Sequence, residues 1–151
     1  MRILLLEPFF TGSHRAWAEQ LARYSRHEIY FHTMEGRYWK WRMHGAAVTM
    51  ARKWTELSFQ PDLILATDMM DVSTYLGLIR NQQRSSPLAL YFHENQMAYP
   101  WSQKAIRNNN WRHYAFINYA SALSADHVFF NSHYNLESFH QEVFQLLKQY
   151  Q

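Results

Sequence analysis

The feature that most constrains this chain is a repeated alternation of short apolar runs with helical stripes of apolar residues. Most of the runs are continuously apolar rather than alternating, which indicates strands buried on both faces, as in parallel sheets. The runs are Ile3–Leu6, Glu28–His32, Leu63–Ala66, Leu88–Phe92 and His127–Phe130.

Apolar residues at helical spacing follow each run. We predict helices around Trp17, Leu21 and Tyr24; Ala47, Met50, Trp54 and Leu57; Val72, Leu76 and Ile79; Trp111, Ala115, Asn118 and Ala122; and Leu136, Phe139, Val143, Leu146 and Tyr150. Ser13, Asp71 and Ser132 are predicted N-caps. Strand and helix in alternation predict right-handed βαβ units. We therefore expect one α/β domain over residues 1–151, a Rossmann-like parallel sheet flanked by helices, with ligands bound beyond the carboxyl ends of its strands.

Composition limits the function classes. Apolar residues make up 48% of the chain, as expected of a packed globule, and the absence of cysteine excludes disulfides and thiolate metal sites. A charge of +3 permits an anionic partner such as RNA or a nucleotide without demanding one. The first apolar run is too short for a signal peptide, and no stretch has the length of a membrane span. A cytoplasmic protein without membrane contact is the expectation.

The end of the first run carries a candidate binding loop, formed by Gly12, Ser13 and His14. A Gly-Ser pair that opens a helix leaves backbone N–H groups free for an anion or a sugar hydroxyl. The pattern is neither a dinucleotide fingerprint nor a P-loop, and a plain strand-to-helix turn is the alternative.

The end of the fourth run carries four polar side chains in a row: His93, Glu94, Asn95 and Gln96. His93 could bond a sugar hydroxyl, and Glu94 could act as a base or an orienting group, so these two are the candidate catalytic residues. A polar loop with a satisfied histidine is the alternative. No second histidine follows at the spacing of a zinc-protease helix, and we predict no metal site.

Two further strand ends have capping as a sufficient explanation. Asn131 and Ser132 follow the last run and are candidate pocket residues, but both could simply cap the last helix. Asp68 follows the third run and could line the cleft, whereas Asp71 is more simply an N-cap. The Asp-x-Asp pattern of metal-dependent nucleotide-sugar enzymes is missing there.

A basic and aromatic tract lies between the second and third runs. Its members are Arg37, Trp39, Lys40, Trp41 and Arg42. Cations interleaved with rings suit stacking on bases and contacts to phosphates, and we predict RNA binding with both Trp39 and Trp41 at the surface. A sugar platform or a merely solvated face would carry the same residues.

Taken together, these motifs resemble the tRNA-queuosine alpha-mannosyltransferases. The similar segments are Ile3–His14, Lys40–Met43, Tyr91–Gln96 with Tyr99 and Pro100, and Phe130–Ser132 followed by Tyr134–Phe139. They occur in the same order and cover nearly the whole chain.

The resemblance implies the N-terminal, acceptor-side domain of a GT-B glycosyltransferase. Such an enzyme would transfer mannose from GDP-mannose to queuosine in tRNA, with retention at the anomeric carbon, using the nucleotide sugar as co-substrate and no other cofactor. A C-terminal donor-binding domain would lie outside these 151 residues, so we expect the isolated chain to be inactive.

The resemblance also implies roles for individual residues. Gly12 and Ser13, with His14 beside them, would lie near the donor, and His93 would bond the transferring sugar. Glu94, Asn95 and Gln96 would order the acceptor or the loop, while Asn131 and Ser132 would line the cleft. An inter-domain surface left exposed could also drive homodimerisation.

A non-enzymatic RNA-binding α/β module is the competing hypothesis. It predicts RNA binding with a steep salt dependence and no role for nucleotide sugars. A receiver domain fits poorly because Asp68 has only Glu7 as an acidic residue near the first run. A hydrolase of the nucleophile-elbow type is excluded by the missing Gly-x-Ser-x-Gly.

Overall fold

The computed structural model contains a five-stranded parallel sheet with the strand order β2-β1-β3-β4-β5. It describes residues 1–82, 86–104 and 111–149. The strands are β1 (Arg2–Phe10), β2 (Glu28–Glu35), β3 (Leu63–Thr67), β4 (Leu88–Phe92) and β5 (His127–Phe130). The predicted Rossmann-like α/β fold is confirmed.

Helices follow the strands as predicted. In the described part of the chain they are α1 (Gly12–Tyr24), α2 (Trp39–Trp54), α3 (Val72–Ile79), α4 (Arg112–Ser124) and α5 (His133–Lys148). Tyr150, placed in the last helical stripe by its spacing, lies outside the described residues. None of the helices in these ranges is long and apolar enough to cross a membrane.

Two of the three predicted N-caps are confirmed. The Asp71 carboxylate accepts a hydrogen bond from the Thr74 N–H, and the Ser132 hydroxyl accepts one from the Asn135 N–H. The prediction for Ser13 was wrong because α1 already begins at Gly12 and Thr11 occupies the cap position, without a capping side-chain bond. Ser13 therefore lies within the first helical turn.

The main core fills the space between one face of the sheet and the helices α2, α3 and α4. Leu4, Leu6, Ile64 and Leu90 of the central strands are fully buried there. Phe139 of α5 completes this core by packing on aromatic rings of β4 and β5. The continuous apolar runs thus form strands covered on both faces where the sheet is central.

The strand order positions a ligand crevice. The connection from β1 runs to β2 on one side, whereas β3, β4 and β5 follow on the other side, so the direction of winding reverses between β1 and β3. In open α/β sheets the carboxyl ends of the strands at this switch point border the binding site. The carboxyl ends of β1, β3 and β4 therefore border the expected ligand site.

Candidate functional site

A buried cluster of acids and histidines occupies the switch point. Glu7 belongs to β1, Asp68 directly follows β3, His93 directly follows β4, and His14 stands in the first turn of α1. The first three come from strand ends that adjacent parallel pairing brings together, and α1 packs against this end of β1.

Glu7 lies at the centre of the cluster and is fully buried. Its Oε1 accepts a hydrogen bond from the Phe9 N–H at 2.9 Å, and its Oε2 lies 3.1 Å from Nδ1 of His14. The same Oε2 lies 3.6 Å from Nε2 of His93, and the two imidazole rings are 4.1 Å apart. One carboxylate oxygen thus faces two histidines.

This arrangement makes Glu7 and His14 an ion pair. Burial alone would raise the pKa of Glu7, but the hydrogen bond and charge of His14, the nearby His93 ring and the bond from the Phe9 N–H outweigh burial and hold the pKa at about 2. Burial lowers the pKa of His14, yet the bond to Glu7 and the charges of Glu7, Asp68 and Glu94 raise it above the ordinary value. The site therefore favours the protonated form of His14 more strongly than water does.

The backbone of His93 is held on both sides. Its N–H donates to Oδ1 of Asp68 at 2.9 Å, and its carbonyl accepts from the Asn131 side chain at 2.6 Å. Its ring meets the edge of Trp17, which stacks on Tyr91. His93 is thereby fixed relative to β3, β5 and α1, as a binding residue requires.

Asp68 lies buried beneath this cluster, so the prediction that it lines the cleft is not met. Burial, reinforced by the charges of Glu94 and Glu7, raises its pKa to about 8 despite the bond from His93. Its Oδ2 has no hydrogen-bond partner among the described residues. Asp68 is consequently a neutral acid over most of the physiological range.

The Asn95 and Gln96 side chains form hydrogen bonds that order the loop, and Asn95 also lines one of the cavities beside it. The Asn95 side chain donates to Asn135 and Ser138 and accepts from the Ala98 N–H. Gln96 is fully buried, and its N–H donates to Asn118. The prediction of direct substrate contact is therefore corrected for Gln96, because burial removes it from the cleft.

Two cavities open on either side of Glu94. The β4–β5 cavity has a volume of about 330 Å³, and the β1 cavity one of about 340 Å³. Glu94 and Tyr99 line both, so the two form one cleft. The predicted residues His93, Asn95, Asn131 and Ser132 line the first cavity, whereas Gly12, Ser13 and His14 line the second.

The basic and aromatic tract lies on the first turn of α2. Lys40 and Trp41 are exposed, but Trp39 is half-buried against the rings of Tyr99, Trp101 and Tyr114. The expectation that both tryptophans face solvent was wrong for Trp39, since it belongs to a second, smaller apolar cluster and borders the β1 cavity.

The arginines of the tract bind the protein's own acceptors. Arg37 forms a salt bridge with the Glu35 carboxylate, and Arg42 donates to the Glu35 carbonyl at 3.2 Å. Lys40 and Trp41 thus remain the tract residues best placed to meet a partner.

Glu7, His14 and His93 are also the one set among the described residues whose spacing could hold a metal ion, with ligand atoms within 4.8 Å of one another. Glu7 and His14 contact each other through these atoms, whereas Nε2 of His93 is buried without a hydrogen-bond partner among the described residues.

Sequence reasoning did not assign Glu7 or Tyr99 to the site. Glu7 is a charged residue inside an otherwise apolar strand, Ile3–Pro8. A charge at such a position must be paired when it is buried, and that was the available signal.

Comparison with known proteins identifies the family of this chain. Residues 2–151 match the family described as tRNA-queuosine alpha-mannosyltransferase N-terminal. The chain belongs to this family. It is 31% identical over 145 residues to the tRNA-queuosine alpha-mannosyltransferase of Drosophila melanogaster, an alignment that covers 93% of this chain. The chain spans 36% of the length of that relative. The resemblance inferred from the four motifs is confirmed at the level of the family's N-terminal domain.

Proposed function

We propose that the chain is the acceptor-side domain of a retaining GT-B mannosyltransferase that moves mannose from GDP-mannose to queuosine in tRNA. Family membership and the name of the Drosophila relative support the substrate class. The observation that carries the proposal is the cluster of Glu7, His14 and His93 at the switch point, opening onto cavities that share Glu94.

The reaction exchanges one bond at the anomeric carbon. The bond from mannose to the GDP phosphate breaks, a bond to a queuosine hydroxyl oxygen forms, and the hydroxyl proton passes to the phosphate oxygen of the departing GDP. His93, whose backbone is fixed, bonds the sugar, while Glu94 orients the acceptor hydroxyl and stabilises positive charge on the oxocarbenium-like sugar. Attack and departure on the same face retain the configuration.

The donor phosphates are bound by a second Rossmann-like domain in this proposal. No lysine or arginine lines either cavity in the described ranges, so these cavities lack the cations that usually hold a pyrophosphate. The amides of the first turn of α1 and the His14 imidazolium add to the donor side. The lack of lysine and arginine in these cavities supports an acceptor-side role for this domain, with the donor phosphates bound elsewhere.

The test joins this chain to the part of the Drosophila relative that follows the matched segment. Mannose transfer from GDP-mannose to queuosine-containing tRNA is measured for the unmodified protein, for His93→Ala and for His127→Ala. We expect transfer by the fusion, a loss of at least about 100-fold for His93→Ala, and no change for His127→Ala. His127 is an exposed histidine at the opposite edge of the sheet. A folded fusion without transfer, or full activity of His93→Ala, contradicts the proposal.

An RNA-binding module without enzymatic activity is the second candidate, and the exposed Lys40 and Trp41 favour it. It predicts that tRNA binds whether or not it carries queuosine and that GDP-mannose has no effect. Transfer activity of the fusion excludes it.

A further inference from the structure

The cleft wall carries a carboxylate, that of Glu94, without a salt-bridge partner among the described residues. Glu7 and His14 neutralise each other as an ion pair, which leaves Glu94 at the wall common to both cavities. Glu94 accepts a hydrogen bond from the Gln96 side chain at 3.2 Å and forms no salt bridge within the described ranges. A half-buried carboxylate of this kind is costly to desolvate further unless the ligand brings a positive charge.

A second carboxyl group, that of Asp68, lies buried below the loop. Oδ2 of Asp68 lies inside the protein without a hydrogen-bond partner among the described residues, one strand away from Glu94. The negative charges of Glu94 and Glu7 add to burial in raising the pKa of Asp68. A neutral Asp68 adds no charge of its own, so the unpaired negative charge beside the cleft is that of Glu94.

Aromatic rings surround the same carboxylate. Tyr99 borders both cavities, Trp39 and Phe9 border the β1 cavity, and Tyr134 borders the β4–β5 cavity with 76% of its surface exposed. Ring faces attract cations and stack on nucleobases. An exposed tyrosine at the rim of an acidic cleft thus suits a ligand with a flat base and a positive charge.

We propose that Glu94 recognises the protonated amine of the queuosine side chain, with Tyr134 stacking on the base; the identity of the ligand rests on the proposed function. Queuosine is a deazaguanosine whose base carries a dihydroxylated cyclopentene ring through a secondary aliphatic amine. That amine is cationic at neutral pH and stands between the base and the hydroxyls. Binding it at Glu94 places the base toward the exposed tyrosine and the ring hydroxyls toward His93 and Asn131.

The test measures binding of free bases to the isolated chain by nuclear magnetic resonance. The probes are the queuosine base, the same compound with an ether oxygen in place of the amine, and deazaguanine without a side chain. The comparison of amine and ether isolates the charge, because both carry the hydroxyls. It needs no variant and so does not depend on the folding of one.

A variant pair then assigns the charge to one residue. Glu94→Gln removes the carboxylate and keeps the side-chain length, while Glu56→Gln makes the same change on an exposed residue at the opposite edge of the sheet. We expect the amine compound to bind at least about tenfold more tightly than the ether compound, as for a charge-assisted hydrogen bond. Glu94→Gln abolishes that difference, and Glu56→Gln preserves it.

Equal binding of amine and ether compounds overturns the proposal. So does the absence of binding by all three bases, or an undiminished preference in folded Glu94→Gln. These outcomes leave the transfer assay with intact tRNA untouched, since that assay reports on mannose transfer whatever group recognises the amine. Failure of the transfer assay with a retained preference for the amine would instead overturn the reaction and keep the recognition site.

Discussion

Glu7 illustrates how a single buried charge can organise the surrounding site. Its carboxylate would be unfavourable inside an apolar strand without partners, and it obtains them from α1 and from the end of β4. In return it contacts the ring of His14 at 3.1 Å and raises the pKa of that imidazole. The chemical state of the cleft thus depends on a residue that does not line it.

Replacing Glu7 by Gln should lower the pKa of His14, because the ring loses a negative partner while keeping a hydrogen-bond acceptor. Nitrogen chemical shifts of the imidazole followed against pH measure this directly. Glu19→Gln is the matched control, since Glu19 is an exposed acid on the same helix paired with Arg15. A pKa of His14 that stays raised in Glu7→Gln would show that Glu7 is not the cause.

Asp68 should make the protein less stable as the pH rises from about 5 to about 8. Its folded pKa is raised to about 8 from 3.8, so in this range the folded state holds a proton that the unfolded state has lost. The free energy of unfolding then falls with pH. We expect a decrease of roughly 2 kcal/mol or more from this residue.

Denaturant unfolding at several pH values checks this expectation. Asp68→Asn should flatten the profile, and Asp62→Asn, at an exposed acid in the amino-terminal half of the sheet, should keep it. The raised pKa of His14 acts in the same direction above its ordinary value, so some slope remains in Asp68→Asn. An unchanged slope in Asp68→Asn would contradict a neutral buried acid.

At the scale of elements, the turn between β1 and α1 requires a left-handed backbone conformation at Gly12. Gly12 begins the helix with φ +50, in the left-handed region that disfavours a side chain, although a Cβ there would meet no atom within 4 Å. The turn brings Ser13 and His14 to the β1 cavity. Glycine is thus used for its backbone freedom and not to make space.

Two glycine substitutions separate these effects. Gly12→Ala should cost about 1–2 kcal/mol of stability, because only the backbone conformation opposes it. Gly77→Ala in the middle of α3, where a Cβ also meets open space, should add about 0.5–1 kcal/mol. Unfolding free energies of the two variants test the pair, and similar values for both would show that φ at Gly12 does not matter.

Much of the fold was predictable because local patterns determine it. Continuous apolar runs gave the strands, with β4 and β5 predicted to the residue, and the rule of carboxyl ends placed His93 and Asn131 at one cleft. The start of α2 at Trp39 was not predicted, because its first turn mixes rings with cations and has no apolar stripe.

The interior of the site was less predictable. The burial of Glu7 depends on His14 and His93, which belong to other parts of the chain. The sequence of β1 alone does not identify these partners. The same holds for Gln96, whose burial follows from packing against α4 through Asn118. Residue type and position after β4 identified the loop that begins at His93 as a candidate site. They did not distinguish its partly exposed residues from its buried ones.

For the whole molecule, the relation between the cleft and the tract on α2 decides how an RNA could approach. Trp39 borders the β1 cavity, and the next residues along α2, Lys40 and Trp41, face solvent. The Trp41 ring lies on Gly45, where an added Cβ would come within 2.9 Å of it. The exposed ring therefore lies against its own helix, and Lys40 and Trp41 are the surface residues of α2 on which the proposed tRNA contact can be tested.

This arrangement predicts separable contributions to tRNA binding. Lys40→Ala should weaken binding and reduce the salt slope by about one ion, as for one phosphate contact. Trp41→Ala should weaken binding by about 1–3 kcal/mol with little change in the slope, as for the loss of one stacked base. Gly45→Ala should act in the same direction as Trp41→Ala, since the ring must move.

The control is Arg26→Ala, which removes an exposed cation at the amino-terminal edge of the sheet. Binding isotherms at several salt concentrations distinguish the variants. If Arg26→Ala matched Lys40→Ala, the attraction would come from net charge alone, and the surface beside the cleft would have no special role.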